Sequence, residues 1–222
     1  MFSTHQRLYR MMFVLANVLL SLLCCEFAFG VDPTVGFEKQ QVSWKIQKPY
    51  DLQVSDRYNF SDGVHKLWVY TSDKPQNPHS PTKPRTELRF RQPQYSQGIW
   101  QFEGDFYVPS GTTGVCIMQI HGGRNSATAL QIRVDGPGDL IRTGADLEHA
   151  TFATHIYDKW IHLNVIHDVD HEMLSIYLDG ELKHWEVNET YEEHYFKCGV
   201  YTQNNASEYM ESRWKNINIW KL

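Results

Sequence analysis

The sequence is poor in cysteine, in excess basic charge and in long apolar runs. Four cysteines occur in 222 residues, and Cys24 and Cys25 fall in an N-terminal stretch that reads as a leader. Cys116 and Cys198 remain, too few for a disulfide-dense scaffold, so a hydrophobic core must hold the fold. Lysine and arginine number 21 against 26 aspartates and glutamates, a formal charge of −5. A nucleic-acid partner, which wants a basic surface, is not expected. The one sustained apolar run, residues 11–23, falls short of the roughly 20 residues a membrane span needs. It follows Arg7 and Arg10 and precedes the small-x-small site Ala28-Phe29-Gly30, so residues 1–30 are expected to be a signal peptide. No membrane insertion is expected once the peptide is cleaved.

Familiar catalytic and metal motifs are also missing. There is no Gly-x-Ser-x-Gly elbow, no phosphate-binding P-loop and no His-Glu-x-x-His. His162 and His167 flank a strand-like stretch without a clustered ligand set, and His149 and His155 are not at zinc spacing. Asp168, Asp170 and Glu172 lack the spacing of an EF-hand loop. No metal or other cofactor is therefore expected. A carboxylate pair for glycoside hydrolysis cannot be assigned either. No stretch shows three clean helical turns, no repeat recurs, and no linker divides the chain.

Alternation is what the sequence has in quantity. Trp100, Phe102, Gly104 and Phe106 oppose Gln101, Glu103 and Asp105, the pattern of a half-buried strand. Similar short stretches recur at 64–70, 129–134, 160–169, 174–178 and 214–222. In the last, Trp214, Asn216, Asn218 and Trp220 share a parity against Ile217 and Ile219. Residues 71–84 read as a loop, 109–114 and 135–139 as turns, 122–126 as a flexible turn, and 185–193 as polar and loop-like. Asp179-Gly180 is a hairpin signal. Phe37, Trp44 and Ile46 are candidate sheet anchors. Many short strands without a βαβ rhythm predict an all-β sandwich of two antiparallel sheets. Residues 31–222 are expected to form that single domain, as a monomer, after a leader at 1–30.

Three stretches place polar groups on one face of a strand. Arg85, Glu87 and Arg89 share a parity, as do Gln119 and His121, and as do Lys197, Tyr201 and Gln203. Three such strands side by side would floor one groove. On the same parity argument Cys116 and Cys198 face away from it, and a bridge between them is open if their strands are close. Arginine, glutamine and lysine suit a carboxylate, by a bidentate fork, an amide donor and a point charge. Histidine accepts a proton near neutral pH. A tyrosine beside Arg85 and Lys197 should be pressed toward a lower pKa. Together these groups suit β-elimination from a uronate sugar. Arg85 and Gln119 would neutralise the carboxylate, His121 and Tyr201 would serve as base and acid, and Lys197 would stabilise developing charge. Glu87 reads as a partner that orients the arginines.

The stretches Arg85-Thr86-Glu87-Leu88-Arg89, Gln119-Ile120-His121 and Tyr195 through Gln203 resemble, in order, the three signature motifs of the alginate lyase 2 superfamily. The mature chain looks closest to the plant citrate-binding protein-like branch, through Lys83-Pro84-Arg85-Thr86-Glu87, Asn164 through Val169 and Tyr209 through Ile217. The resemblance implies a β-jelly-roll with a concave groove. It also implies that Arg85, Gln119, His121 and Tyr201 occupy catalytic positions, with Arg89, Glu87, Lys197 and Gln203 lining the substrate. Phe90, Cys198 and Thr202 depart from the bacterial pattern, which often has an acidic residue, Ala and Asn there. Two ligand classes follow: an anionic, uronate-containing polysaccharide cleaved by a lyase, or a small carboxylate such as citrate held without chemistry. The secretory route, to cell wall or vacuole, is expected, with sequons at Asn59, Asn188 and Asn205 as candidate glycan sites.

Overall fold

The structure, a computed structural model, describes residues 33–122, 128–144, 147–189 and 192–222. The expected leader and most of the turn at 122–126 lie outside the described residues. The chain runs through β1 (Glu38–Lys39), β2 (Ser43–Gln47), β3 (Tyr58–Ser61), β4 (Val64–Tyr70) and β5 (Arg85–Gln92). Then come β6 (Ile99–Tyr107), β7 (Val115–His121), β8 (Thr128–Asp135), β9 (Asp139–Gly144) and β10 (Leu147–Ala153). Last are β11 (Trp160–Asp168), β12 (Met173–Leu178), β13 (Glu181–Val187), β14 (Tyr195–Thr202) and β15 (Tyr209–Lys221).

These strands form two antiparallel sheets, a β-jelly-roll. One has the order β13-β12-β11-β6-β15-β4-β3, with β1 added on β15; the other has the order β10-β9-β8-β7-β14-β5-β2. The core lies between them. Leu88, Ile120, Ile132, Phe196 and Val200 come from the second sheet, and Leu67, Phe102, Phe106, Val165 and Trp214 from the first. Alternation sends the other side chains of the second sheet outward, so the polar parity of β5, β7 and β14 floors a concave groove. A buried ion pair, Arg142 of β9 with Glu186 of β13, ties the two sheets together along one edge.

The structure corrects several sequence expectations, and most of the corrections trace to bulges. Between β14 and β7 the register slips from Cys198↔Met118 to Tyr201↔Cys116, and between β7 and β8 it slips from Cys116↔Arg133 to Met118↔Ile132. The extra residue reverses the parity of Cys116. It stands on the groove side beside Tyr201, while Cys198 points into the core. The two thiols lie on opposite faces of the sheet, and both are free. In β15 a slip between Lys215 and Asn218, with Asn216 at φ 54°, does the same: Trp214 and Ile219 both face the core, against simple alternation. Residues 185–187, expected as loop, belong to β13. As an edge strand it leaves Trp185 and Val187 exposed, which reads as irregular in sequence. β9 and β10 had no clear signal.

Candidate active site

The order β7-β14-β5 in one sheet brings the three polar stretches together. Register fixes their rows. Lys197 sits opposite Arg89 on one side and Gln119 on the other; Tyr195 sits opposite His121; Tyr201 sits opposite Arg85. Gly199 lies opposite Glu87, with φ 140°. An added Cβ there would stand 2.4 Å from the Thr86 carbonyl oxygen. The Ser212 hydroxyl of the facing sheet donates to the Gly199 carbonyl at 2.7 Å, anchoring the bulge from behind.

Glu87 is the hub of the floor. It is 1% exposed. One carboxylate oxygen takes Arg85 Nη1 at 3.3 Å and Lys197 Nζ at 3.5 Å; the other accepts the Gln119 amide. Gln119 in turn lies 3.5 Å from the Gln131 amide of β8. Arg85, Gln119 and Lys197 are therefore held in place without the aid of a ligand, yet keep donors to spare. Arg85 Nε is buried without a partner, and the second N–H of the Gln119 amide remains. Burial pushes the Lys197 ammonium down from its ordinary pKa, and the Glu87 charge opposes that shift.

Two tyrosines carry the arginines. The Arg85 guanidinium carbon lies 3.6 Å from the Tyr201 ring centroid, and that of Arg89 lies 4.3 Å from the Tyr195 centroid. Tyr195 also stacks on His121, with centroids 4.6 Å apart and planes 13° from parallel. Tyr195 had not been singled out as a site residue. Its parity with Lys197 was the available signal.

His121 and Tyr201 are each held in one protonation form. Burial, with the nearby Lys197 and Arg89 cations, lowers His121 to about 4, so the imidazole is neutral at neutral pH. Tyr201 shifts upward, because burial outweighs the pull of Arg85, so it stays a protonated phenol. That reverses the expected direction. His121 and Tyr201 stand on either side of the Gln119–Lys197 row, both on the groove face. Gln203 lies past the end of β14, its amide turned back on the Tyr201 carbonyl at 3.3 Å. Arg89 is half-buried on the groove face. Asp168 accepts from the backbone N–H of His171 in its own turn, and Asp170 accepts from that of Gly98, 72 residues away in sequence. A cavity of about 370 Å³ beside Gln94, Trp100, Glu193 and Lys221 lies apart from these groups and has no comparable set. Asn59 and Asn205 are exposed, whereas Asn188 is buried and donates to the Ala129 carbonyl.

A jelly-roll of two antiparallel sheets is the fold of the alginate lyases. The family model described as alginate lyase matches residues 42–221, and the chain belongs to that family. A relative named Citrate-binding protein, from Hevea brasiliensis, is 44% identical over 215 residues, covering 89% of this chain and 88% of its own length. Among solved structures, the alginate lyase AlgAT5 from polysaccharide lyase family 7 superposes with a TM-score of 0.65 at 19% identity, over 81% of this chain and 94% of that one. A variant of the family 7 alginate lyase A1-II', in complex with the substrate GGMG, has a TM-score of 0.63 at 17% identity, over 79% and 91%. At these identities the likeness shows the fold.

Proposed function

We propose that this protein is a polysaccharide lyase that cleaves a uronate-containing glycan by β-elimination. The observation that carries the reading is the pairing of protonation states: a neutral imidazole and a protonated phenol on one face, flanking donors already fixed by Glu87. Arg85 and Gln119 bind the uronate carboxylate, which acidifies the C5 hydrogen. Neutral His121 takes that proton. The C5–H electrons form the C4=C5 double bond as the C4–O bond breaks, and the Tyr201 hydroxyl gives its proton to the leaving oxygen. Lys197 faces the charge that develops on the carboxylate during proton loss. A bound carboxylate also offsets the field of Lys197 and Arg89, which raises the basicity of His121 on binding. The products are an unsaturated uronate end and a new hydroxyl end. His121 returns its proton to solvent, and Tyr201 regains one.

A second reading, a carboxylate-binding protein without chemistry, is favoured by the name of the 44% identical relative. It leaves the setting of His121 and Tyr201 without a purpose. A secretory route is part of the proposal, and exposed Asn59 and Asn205 suit glycans. The roles are tested by chemical rescue on a polyuronate that the wild type cleaves. Added imidazole should restore turnover to His121→Ala and leave Tyr201→Phe slow. Full activity in the unrescued His121→Ala variant would reject the assignment.

A further inference from the structure

His121 lacks the partner that usually orients a catalytic histidine. Such a base commonly gives its second ring nitrogen to a carboxylate or a backbone carbonyl, which fixes the tautomer and the plane. Among the described residues, neither imidazole nitrogen of His121 takes a hydrogen bond. The Glu87 carboxylate is committed to Arg85, Lys197 and Gln119. What the imidazole does have is Tyr195. The two residues stand directly opposite in the β14–β7 register, with ring centroids 4.6 Å apart and planes 13° from parallel. Tyr195 is itself held fast. It is buried, and the guanidinium carbon of Arg89 lies 4.3 Å from its ring centroid. Since β14 runs between β7 and β5, His121 reaches the ring from one neighbouring strand and Arg89 from the other.

We infer that Tyr195 is the positioning residue of the base: its ring, not its hydroxyl, sets the plane of the His121 imidazole and receives the imidazolium face-on once the proton is taken. This rests on the lyase reading, which gives His121 the role of base. A stack fixes the plane of the ring while leaving the in-plane lone pair open to the C5 hydrogen. It also offers the forming cation a π face. That face matters because burial and the charges of Lys197, Arg89 and Arg85 oppose the imidazolium, and Glu87 favours it. Tyr195 acts through His121 and takes no part in the proton transfer itself.

The test is a double-mutant cycle, read in turnover and in imidazole rescue on a polyuronate that the wild type cleaves. Tyr195→Leu should lower kcat about tenfold and leave KM within about twofold, because the base loses its orientation and the substrate keeps its contacts. Tyr195→Phe, which keeps the ring, should recover most of that loss. In a His121→Ala background, Tyr195→Leu should cost no further turnover. It should raise the imidazole concentration for half-maximal rescue about fivefold, the scale of one aromatic pair, whereas Tyr195→Phe should not. Equal losses with and without His121 would show a role in the fold alone and overturn the proposal. So would a Tyr195→Phe variant no better than Tyr195→Leu. Tyr195→Met, unbranched and without a ring, repeats the cycle should leucine prevent folding. Imidazole binding to His121→Ala, followed by NMR line broadening, needs no turnover and should weaken likewise when Tyr195→Leu is added. If the polymer is cleaved but imidazole binds both variants alike, the positioning role alone is rejected. If the wild type cleaves no polyuronate, the lyase reading falls and the base role with it.

Discussion

Arg85 and Tyr201 face each other across β5 and β14, the guanidinium carbon 3.6 Å from the phenol ring centroid. On the proposed mechanism, one stack orients both the acid and the carboxylate-binding fork. Lysine keeps the charge but neither the plane nor the fork. Arg85→Lys is therefore expected to reduce kcat/KM by about a hundredfold, on the scale of a lost positioned donor. A steady-state assay on the cleaved polyuronate measures this, and a loss of less than about threefold would show that stacking and bidentate geometry are not used.

Glu87 holds Arg85, Lys197 and Gln119 from a fully buried position. Glu87→Gln keeps the shape and one acceptor but leaves two buried cations without a counter-charge. Breaking such a cluster costs on the order of 3 kcal/mol. Urea unfolding should show that loss as a lower midpoint with an unchanged slope.

Gly199 combines φ 140° with the Thr86 carbonyl oxygen 2.4 Å from where a Cβ would go. Neither the conformation nor the contact tolerates a side chain. Gly199→Ala should destabilise by roughly 3 kcal/mol, and turnover should fall with it because Lys197 and Tyr201 flank the bulge. Unchanged unfolding would show that the strand can re-register.

His167 is buried, its Nδ1 3.0 Å from the Tyr95 hydroxyl and its ring edge-on to His194, 4.7 Å between centroids. Burial, reinforced by His194, lowers it to about 3. A histidine whose folded pKa is depressed binds more protons when unfolded, so stability falls as pH drops from about 6.5 toward 3. The midpoint of thermal unfolding should decline over that window. His167→Gln, which can keep a hydrogen bond to Tyr95, should decline less steeply. Equal slopes would assign the acid sensitivity elsewhere.

The sequence made the shared face of these residues readable because strand parity is local: Arg85, Glu87 and Arg89, and Gln119 with His121, are two apart and undisturbed by bulges. It could not show that Glu87 gathers Arg85, Lys197 and Gln119, since that depends on which strands are neighbours. Parity failed at Cys116 and Trp214, where one added residue reverses the face of everything beyond it. Tyr201 was misjudged in direction for a related reason: its cationic neighbour was legible, its burial was not. The edge strand β13 and the pair β9–β10 were missed because their alternation is broken by exposed apolar and mixed residues.

The most direct measurement is the ultraviolet absorbance of the double bond conjugated to a uronate carboxylate, followed with purified protein against a panel of polyuronates. The account predicts that absorbance rises with at least one polymer, and that the rise is lost in both His121→Ala and Tyr201→Phe. No rise across the panel, with saturable citrate or oligouronate binding that depends on Arg85, would contradict the lyase and leave a carboxylate-binding protein.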